Sequence, residues 1–170
     1  MKRILLSVLM VLLTMTPLMA KDMIINVIIG GASFTATVDD TETGRAFYSL
    51  LPLALNMNEL NGNEKYYYLD SSLPTSSYRP GTINAGDIML YGSSCVVLFY
   101  ETFSSGYSYT RIGAVDNPEG LSQVLGNGNV TVKFEAQPPT LDRGDMNGDG
   151  DVDISDVNSL IDFLLTGVRP

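Results

Sequence analysis

Short stretches of β-favouring residues, cut apart by glycine- and asparagine-rich turns, recur from Met23 to Phe134. Phe34, Ala36 and Val38 alternate with Ser33, Thr35 and Thr37, the period-two pattern of a strand buried on one face. Leu53, Leu55 and Met57 alternate in the same way, and Met23–Ile29 is rich in β-branched residues. Gly30-Gly31, Asn61-Gly62 and the run from Gly126 to Asn129 supply turns. Further strands are predicted over 65–69, 87–91, 95–100, 107–114 and 130–134. Short helical faces are predicted around Ala46, Phe47, Leu50 and Leu51, stopped at Pro52, and between Asn117 and Leu125. Residues 70–86, rich in Ser, Pro, Thr and Gly, are too irregular for an element. Many short strands with two brief helices predict a mostly β fold, a closed or nearly closed antiparallel barrel that leaves few exposed edges.

The N-terminus carries a different signal. Lys2-Arg3 precedes a nearly unbroken apolar run from Ile4 to Met15, too short to span a bilayer comfortably. Leu18-Met19-Ala20 ends in a small residue, so 1–20 reads as a secretory signal peptide and Lys21 as the first mature residue. No cysteine stands at the cleavage site, so no lipid anchor is expected, and the mature protein is predicted to be secreted or periplasmic without a transmembrane anchor. Of 10 Lys and Arg, two fall in the leader, leaving 8 against 19 Asp and Glu. That imbalance excludes nucleic acid as a natural partner.

The residue inventory narrows the chemistry. The chain has no histidine, so a Cys-His or Ser-His-Asp centre cannot be built and histidine-ligated zinc is excluded. Cys95, the single cysteine, opens an apolar strand and reads as a small buried thiol. Glu59, Glu64 and Asp87 read as turn and strand-edge charges rather than as a paired acid and base.

The 12 residues Asp145–Asp156 place oxygen side chains at loop positions 1, 3, 5, 9 and 12, with Gly150 at position 6. That spacing suits one calcium ion, which takes roughly six to eight oxygen ligands. The expected ligands are Asp145, Asn147, Asp149, Asp153 and Asp156, with Asp151 contributing its backbone carbonyl. Ile154, Val157, Leu160, Ile161 and Leu164 then recur at helical spacing, and Gly167 is placed to end the helix. Gln137-Pro138-Pro139-Thr140 cannot form an incoming helix. Residues 137–144 are therefore a Pro-rich linker and 145–170 a calcium loop with an exiting helix.

Two resemblances follow. The runs Phe34–Val38, Ala46-Phe47 through Leu51-Pro52, Glu59–Tyr66, Pro80-Gly81, Gly86-Asp87 and Arg111-Ile112-Gly113 resemble a bacterial cyclophilin-like domain over about 22–136. The resemblance implies an eight-stranded barrel with two short helices over 21–136. Prolyl isomerisation in cyclophilins uses an arginine in an aromatic pocket that also carries a histidine and usually a tryptophan. Both of the latter are missing here, and Arg45, Arg79 and Arg111 lie in no cyclophilin-type motif. Gly144–Gly150 with Val152, Asp153 and Asp156 resembles one repeat of a type I dockerin. Dockerins pack two such repeats and bind cohesins; 145–170 holds one. A cohesin-like partner or self-packing of the apolar helix is the corresponding expectation.

Tyrosine is the remaining functional signal. Tyr66-Tyr67-Tyr68 on one strand must present rings to both faces. Tyr66, Tyr68, Tyr78 and Arg79 are the candidate ligand-binding residues, for a glycan or peptide. The expected function is a non-catalytic binding protein; the alternative is a divergent peptidyl-prolyl isomerase.

Overall fold

The computed structural model describes residues 23–137 and 144–167. The leader and the prolines of the linker lie outside the described residues. Among the described residues no helix is long and apolar enough to cross a membrane.

Ten strands and two short helices form the barrel unit. They run β1 (Met23–Ile29), β2 (Ala32–Val38), α1 (Glu42–Tyr48), β3 (Leu53–Leu60), β4 (Glu64–Tyr68), β5 (Gly81–Ile83), β6 (Asp87–Tyr91), β7 (Cys95–Phe99), β8 (Phe103–Ser105), β9 (Thr110–Val115), α2 (Leu121–Leu125) and β10 (Val130–Ala136). α3 (Ile154–Thr166) follows the acidic loop. Eight strands close a barrel in the order β1-β10-β3-β4-β7-β6-β9-β2, and every pairing is antiparallel. Closure removes the free edges that alternating apolar strands would otherwise expose.

β5 and β8 pair with each other as a separate two-stranded sheet. β5 lies inside the stretch expected to hold no element. Three residues are too short for a periodicity signal, and the pairing partner is distant in sequence. The strand expected from Tyr107 begins instead at Thr110, and Tyr107 belongs to the preceding loop. α1 starts at Glu42, capped by the Thr41 hydroxyl, which accepts from the Gly44 N–H at 3.0 Å.

The apolar alternation resolves into two cores. Ile25, Val27, Ile29, Phe47, Leu55, Met57, Leu98, Ile112 and Phe134 fill the barrel. Ile83, Met89, Cys95, Val97, Phe99 and Tyr109 form a second cluster, packed with Tyr66 and Phe103. β7 contributes to both: Val96 and Leu98 face inward, while Cys95, Val97 and Phe99 face the second cluster. β5 and β8 thus cover part of the barrel's outer wall.

One close approach demands glycine. A Cβ on Gly113 would stand 2.2 Å from the Thr37 carbonyl oxygen, where β9 meets β2. Asn61 and Gly62 both adopt positive φ between β3 and β4, as the Asn-Gly turn signal predicts.

Lys65, the second residue of β4, is fully buried. Its Nζ donates to Glu59 Oε2, to the Gly126 carbonyl at 2.8 Å and to the Gly128 carbonyl at 2.7 Å. The ammonium also lies 5.4 Å from the Tyr100 ring centroid. Tyr100 Oη donates to Glu59 at 2.8 Å. Burial works against ionisation of Glu59, but Lys65, Tyr100 and the Gly62 N–H outweigh it and hold its carboxyl below the usual range. Burial, together with the bond to Glu59, pushes the Tyr100 phenol far up. Replacing Lys65 with methionine should cost about 3–5 kcal/mol in urea unfolding, because it strands Glu59 and two carbonyls in a site built around a cation.

Candidate functional site

β4 alternates about Lys65. With Lys65 and Tyr67 turned to the barrel interior, Glu64, Tyr66 and Tyr68 fall on the opposite face. The register places these three beside Phe99, Val97 and Cys95 of β7. On the other side of β7, Tyr91 of β6 stands beside Cys95, and Met89 beside Val97. Tyr68, Cys95 and Tyr91 therefore form one row across three strands. The backbones of β4 and β6 are separated here by two strand spacings, roughly 10 Å.

A groove of about 340 Å³ occupies this face. Its walls are Tyr66 and Tyr68 on one side and Tyr91, Tyr107 and Tyr109 on the other, with Phe103 from β8. Cys95 and Val97 line its base, and Leu60, Asn61, Asn63 and Glu64 line the β3–β4 end. The rings brace one another edge to face: Tyr66 on Tyr68 at 5.9 Å, Tyr91 on Tyr107 at 6.2 Å, and Phe99 on Tyr109 at 5.5 Å between centroids. Tyr68 and Tyr107 are nonetheless largely exposed.

Two polar groups in the groove have no partner among the described residues. Asn63 Oδ1 is buried and accepts no hydrogen bond. Glu64 is only 8% exposed, and its carboxyl takes part in no hydrogen bond or ion pair. Burial, and then the negative charge of Glu59, push the Glu64 carboxyl upward. Glu64 was expected to be a strand-edge charge; it is a buried acid instead. The Glu59, Glu64 and Asp87 carboxylates are scattered by the register. Glu59 belongs to Lys65, and Asp87 accepts from Arg111 at 2.8 Å.

Burial raises the Cys95 thiol, Glu64 raises it further, and the Tyr68 hydrogen bond only partly opposes them. The group remains a thiol at neutral pH, as a buried apolar cysteine should. It sits at the base of the groove rather than in the barrel interior.

Of the four residues expected to bind ligand, Tyr66 and Tyr68 line the groove and Tyr78 and Arg79 do not. Tyr78 reaches it only through its backbone, which exchanges two 2.9 Å hydrogen bonds with Tyr109. Arg45 pairs with Asp40, and Arg111 with Asp39 and Asp87. None of the residues lining the groove is an arginine. Glu64, Asn63 and Tyr91 were not singled out as ligand residues, because only the β4–β7–β6 register shows that they share a face.

The comparisons with known proteins address the barrel. The family model for the cyclophilin-like family matches residues 27–135. The chain belongs to the cyclophilin-like family. Its cyclophilin-like barrel is also similar to a hypothetical protein from Archaeoglobus fulgidus with a known solution structure. The TM-score is 0.53 and the identity 19%, covering 68% of this chain and 95% of that one. At that identity the likeness concerns the fold. No curated protein matches the chain.

The acidic loop is organised by two carboxylates. Asp145 accepts from the Gly148 N–H at 2.7 Å and the Gly150 N–H at 3.0 Å. Asp156 accepts from Met146 at 2.6 Å and from Asp153 at 2.7 Å, closing the loop onto the first turn of α3. Asp153 caps that helix and Asp156 completes the capping box. Backbone N–H donors hold the Asp156 carboxyl below its usual range. Gly148 and Gly150 take positive φ, as the turn requires. Among the described residues no three acidic side chains converge as a metal cluster. Ile154, Val157, Leu160, Ile161 and Leu164 of α3 are exposed, Ile154 and Leu164 each to 72%.

An unpaired buried carboxylate is a stability cost. With its folded pKa raised, Glu64 penalises the native state fully above that value and not at all below the unfolded carboxylate range. Glu64→Gln should therefore stabilise the protein at pH 7 by roughly 0.5–1 kcal/mol, water in the open groove screening the rest. The gain should vanish as pH falls through that window. Equal urea midpoints for the two proteins at pH 7 would contradict the assignment.

Proposed function

We propose that this is a secreted, non-catalytic binding protein whose cyclophilin-like barrel takes a ligand in the tyrosine-walled groove. The observation that carries the reading is the pairing of five tyrosines with an unpartnered acid on one face of the barrel. Concave sites that combine aromatic walls with few polar groups are the usual form of ligand sites. Keeping an unpaired buried carboxyl there costs stability, which is a signature of a site retained for binding. The alternative of prolyl isomerisation lacks support in the groove: no arginine lines it, and the chain has neither histidine nor tryptophan.

The second half of the proposal concerns the tail. Asp145, Asn147, Asp149, Asp153 and Asp156, with the Asp151 carbonyl, are a purely oxygen donor set of the kind calcium selects. Asp145 and Asp156 are already buried within an otherwise exposed loop, which favours the fit. Calcium bound there would offset the mutual repulsion of the carboxylates and stiffen the loop that starts α3. The dockerin-like reading makes α3 a hook whose exposed apolar residues dock onto a partner.

Two measurements test these halves separately. Amide shifts on titrating the labelled protein with short peptides and oligosaccharides should cluster at Tyr66, Tyr68, Tyr91 and Cys95, while a proline-containing tetrapeptide should isomerise at the uncatalysed rate. Shifts confined to other faces would remove the groove from the proposal. Calorimetric titration should give one calcium site, with a dissociation constant on the order of 10⁻⁴–10⁻³ M, abolished by Asp145→Ala. No calcium-dependent heat at millimolar concentration would refute the tail assignment.

A further inference from the structure

Glu64 stands out among the charged groups of the barrel. Arg45, Lys65 and Arg111 each have a carboxylate partner, and Glu59, Asp39, Asp40 and Asp87 are the carboxylates that serve them. Glu64 is more than nine-tenths buried, lines the groove and has no partner among the described residues. Its neighbour Lys65 cannot serve it, because strand alternation turns that ammonium into the barrel, onto Glu59, Gly126 and Gly128. Beside Glu64, the buried Asn63 Oδ1 is a second acceptor with nothing to accept. Among the described residues no basic side chain lines the groove.

The missing component is a cation. A hard divalent ion is a poor match, since it wants about six or more oxygens and the groove offers a carboxyl and an amide oxygen among rings. An organic ammonium group fits both features. Its charge pairs with Glu64, its N–H or N-methyl groups face the rings, and tyrosine faces attract cations through the ring quadrupole. The volume, about 340 Å³, lies at the small end of ligand cavities and suits a side-chain-sized group.

We propose that the groove selects an organic ammonium group on a short aliphatic stem, held by Glu64 and Asn63 between the Tyr66–Tyr68 and Tyr91–Tyr107–Tyr109 walls. This rests on the groove being the binding surface. The source of the group is either a lysine side chain of a peptide or a free quaternary amine, and the recognising chemistry is shared.

The full chain should be titrated, by amide shifts and tyrosine fluorescence, with choline, with N-acetyl-lysine methylamide and with 3,3-dimethylbutan-1-ol, the neutral isostere of choline. At least one of the two cations should bind at least tenfold more tightly than the neutral isostere. Glu64→Gln should weaken that cation at least tenfold and leave the neutral isostere unchanged. Because this variant is expected to be as stable as the parent or more so, the loss would not reflect misfolding. The tighter of the two cations identifies the source. Binding of neither cation more tightly than the neutral isostere, or an unaltered cation affinity in Glu64→Gln, would overturn the proposal. If neutral alcohols or oligosaccharides shift the groove residues and the cations do not, the groove remains the binding surface and the ammonium assignment falls. If none of these probes shifts the groove, both fall.

Discussion

A single buried ammonium sets the geometry on which the groove depends. Lys65 lies near the start of β4, with no exposed surface, and is bonded to a carboxylate from β3 and to two carbonyls between α2 and β10. A lysine can occupy such a place only if its charge and its three donors are all met. The carboxylate lies across the β3–β4 hairpin and the two carbonyls lie 61 and 63 residues away, so the bond network ties β4 to its neighbours in one register. A one-residue slip would turn Lys65 outward and carry Glu64 into the apolar barrel. That alternative is costly enough to make the register unique.

The same constraint creates the site. Strand alternation means that satisfying Lys65 inside commits Glu64, Tyr66 and Tyr68 to the outer face. β7 then supplies Cys95 and Val97 as a base, and β6 supplies Tyr91 as the opposite wall. The inner acid, Glu59, is held ionised by Lys65, while the outer acid, Glu64, is pushed toward its neutral form by burial and by Glu59. Two glutamates five positions apart thus have opposite electrostatic situations. One belongs to the architecture. The other has no partner among the described residues.

Much of the barrel was legible because its strands carry local signals. The alternation in β2 and β3, the Asn61-Gly62 turn and the β-branched run of β1 survive in the structure almost unchanged. The two helices were placed approximately: α1 begins behind a Thr41 cap and α2 covers only Leu121–Leu125 of its expected stretch. What stayed hidden was non-local. β5 and β8 are three residues each, and pairing rather than period defines them. Tyr66 and Tyr68 were readable as outward-facing candidates from the Tyr triplet alone. Tyr91, Asn63 and Glu64 were not, since nothing in their local sequence indicates that they face one groove. Tyr78 and Arg79 looked promising because they sit in a long irregular segment. That segment is fastened to Tyr109 by its backbone and leaves the Tyr78 and Arg79 side chains outside the lining.

Family membership and site character point in different directions, and the difference has a physical meaning. The cyclophilin-like family accounts for the closed barrel, and a barrel as such prescribes no reaction. A prolyl isomerase of the cyclophilin type presents a cation, an arginine, among aromatic groups. The groove on this barrel is lined by aromatic groups, its described lining holds no arginine, and the charged group among the rings is an acid. An acid among aromatic rings favours cationic ligands, because the carboxylate and the ring faces both attract a cation. An arginine in such a cleft competes with a cationic ligand for the ring faces; a glutamate cooperates with them. The combination of one acid with tyrosine rings on this face follows from where Lys65 forces β4 to put Glu64.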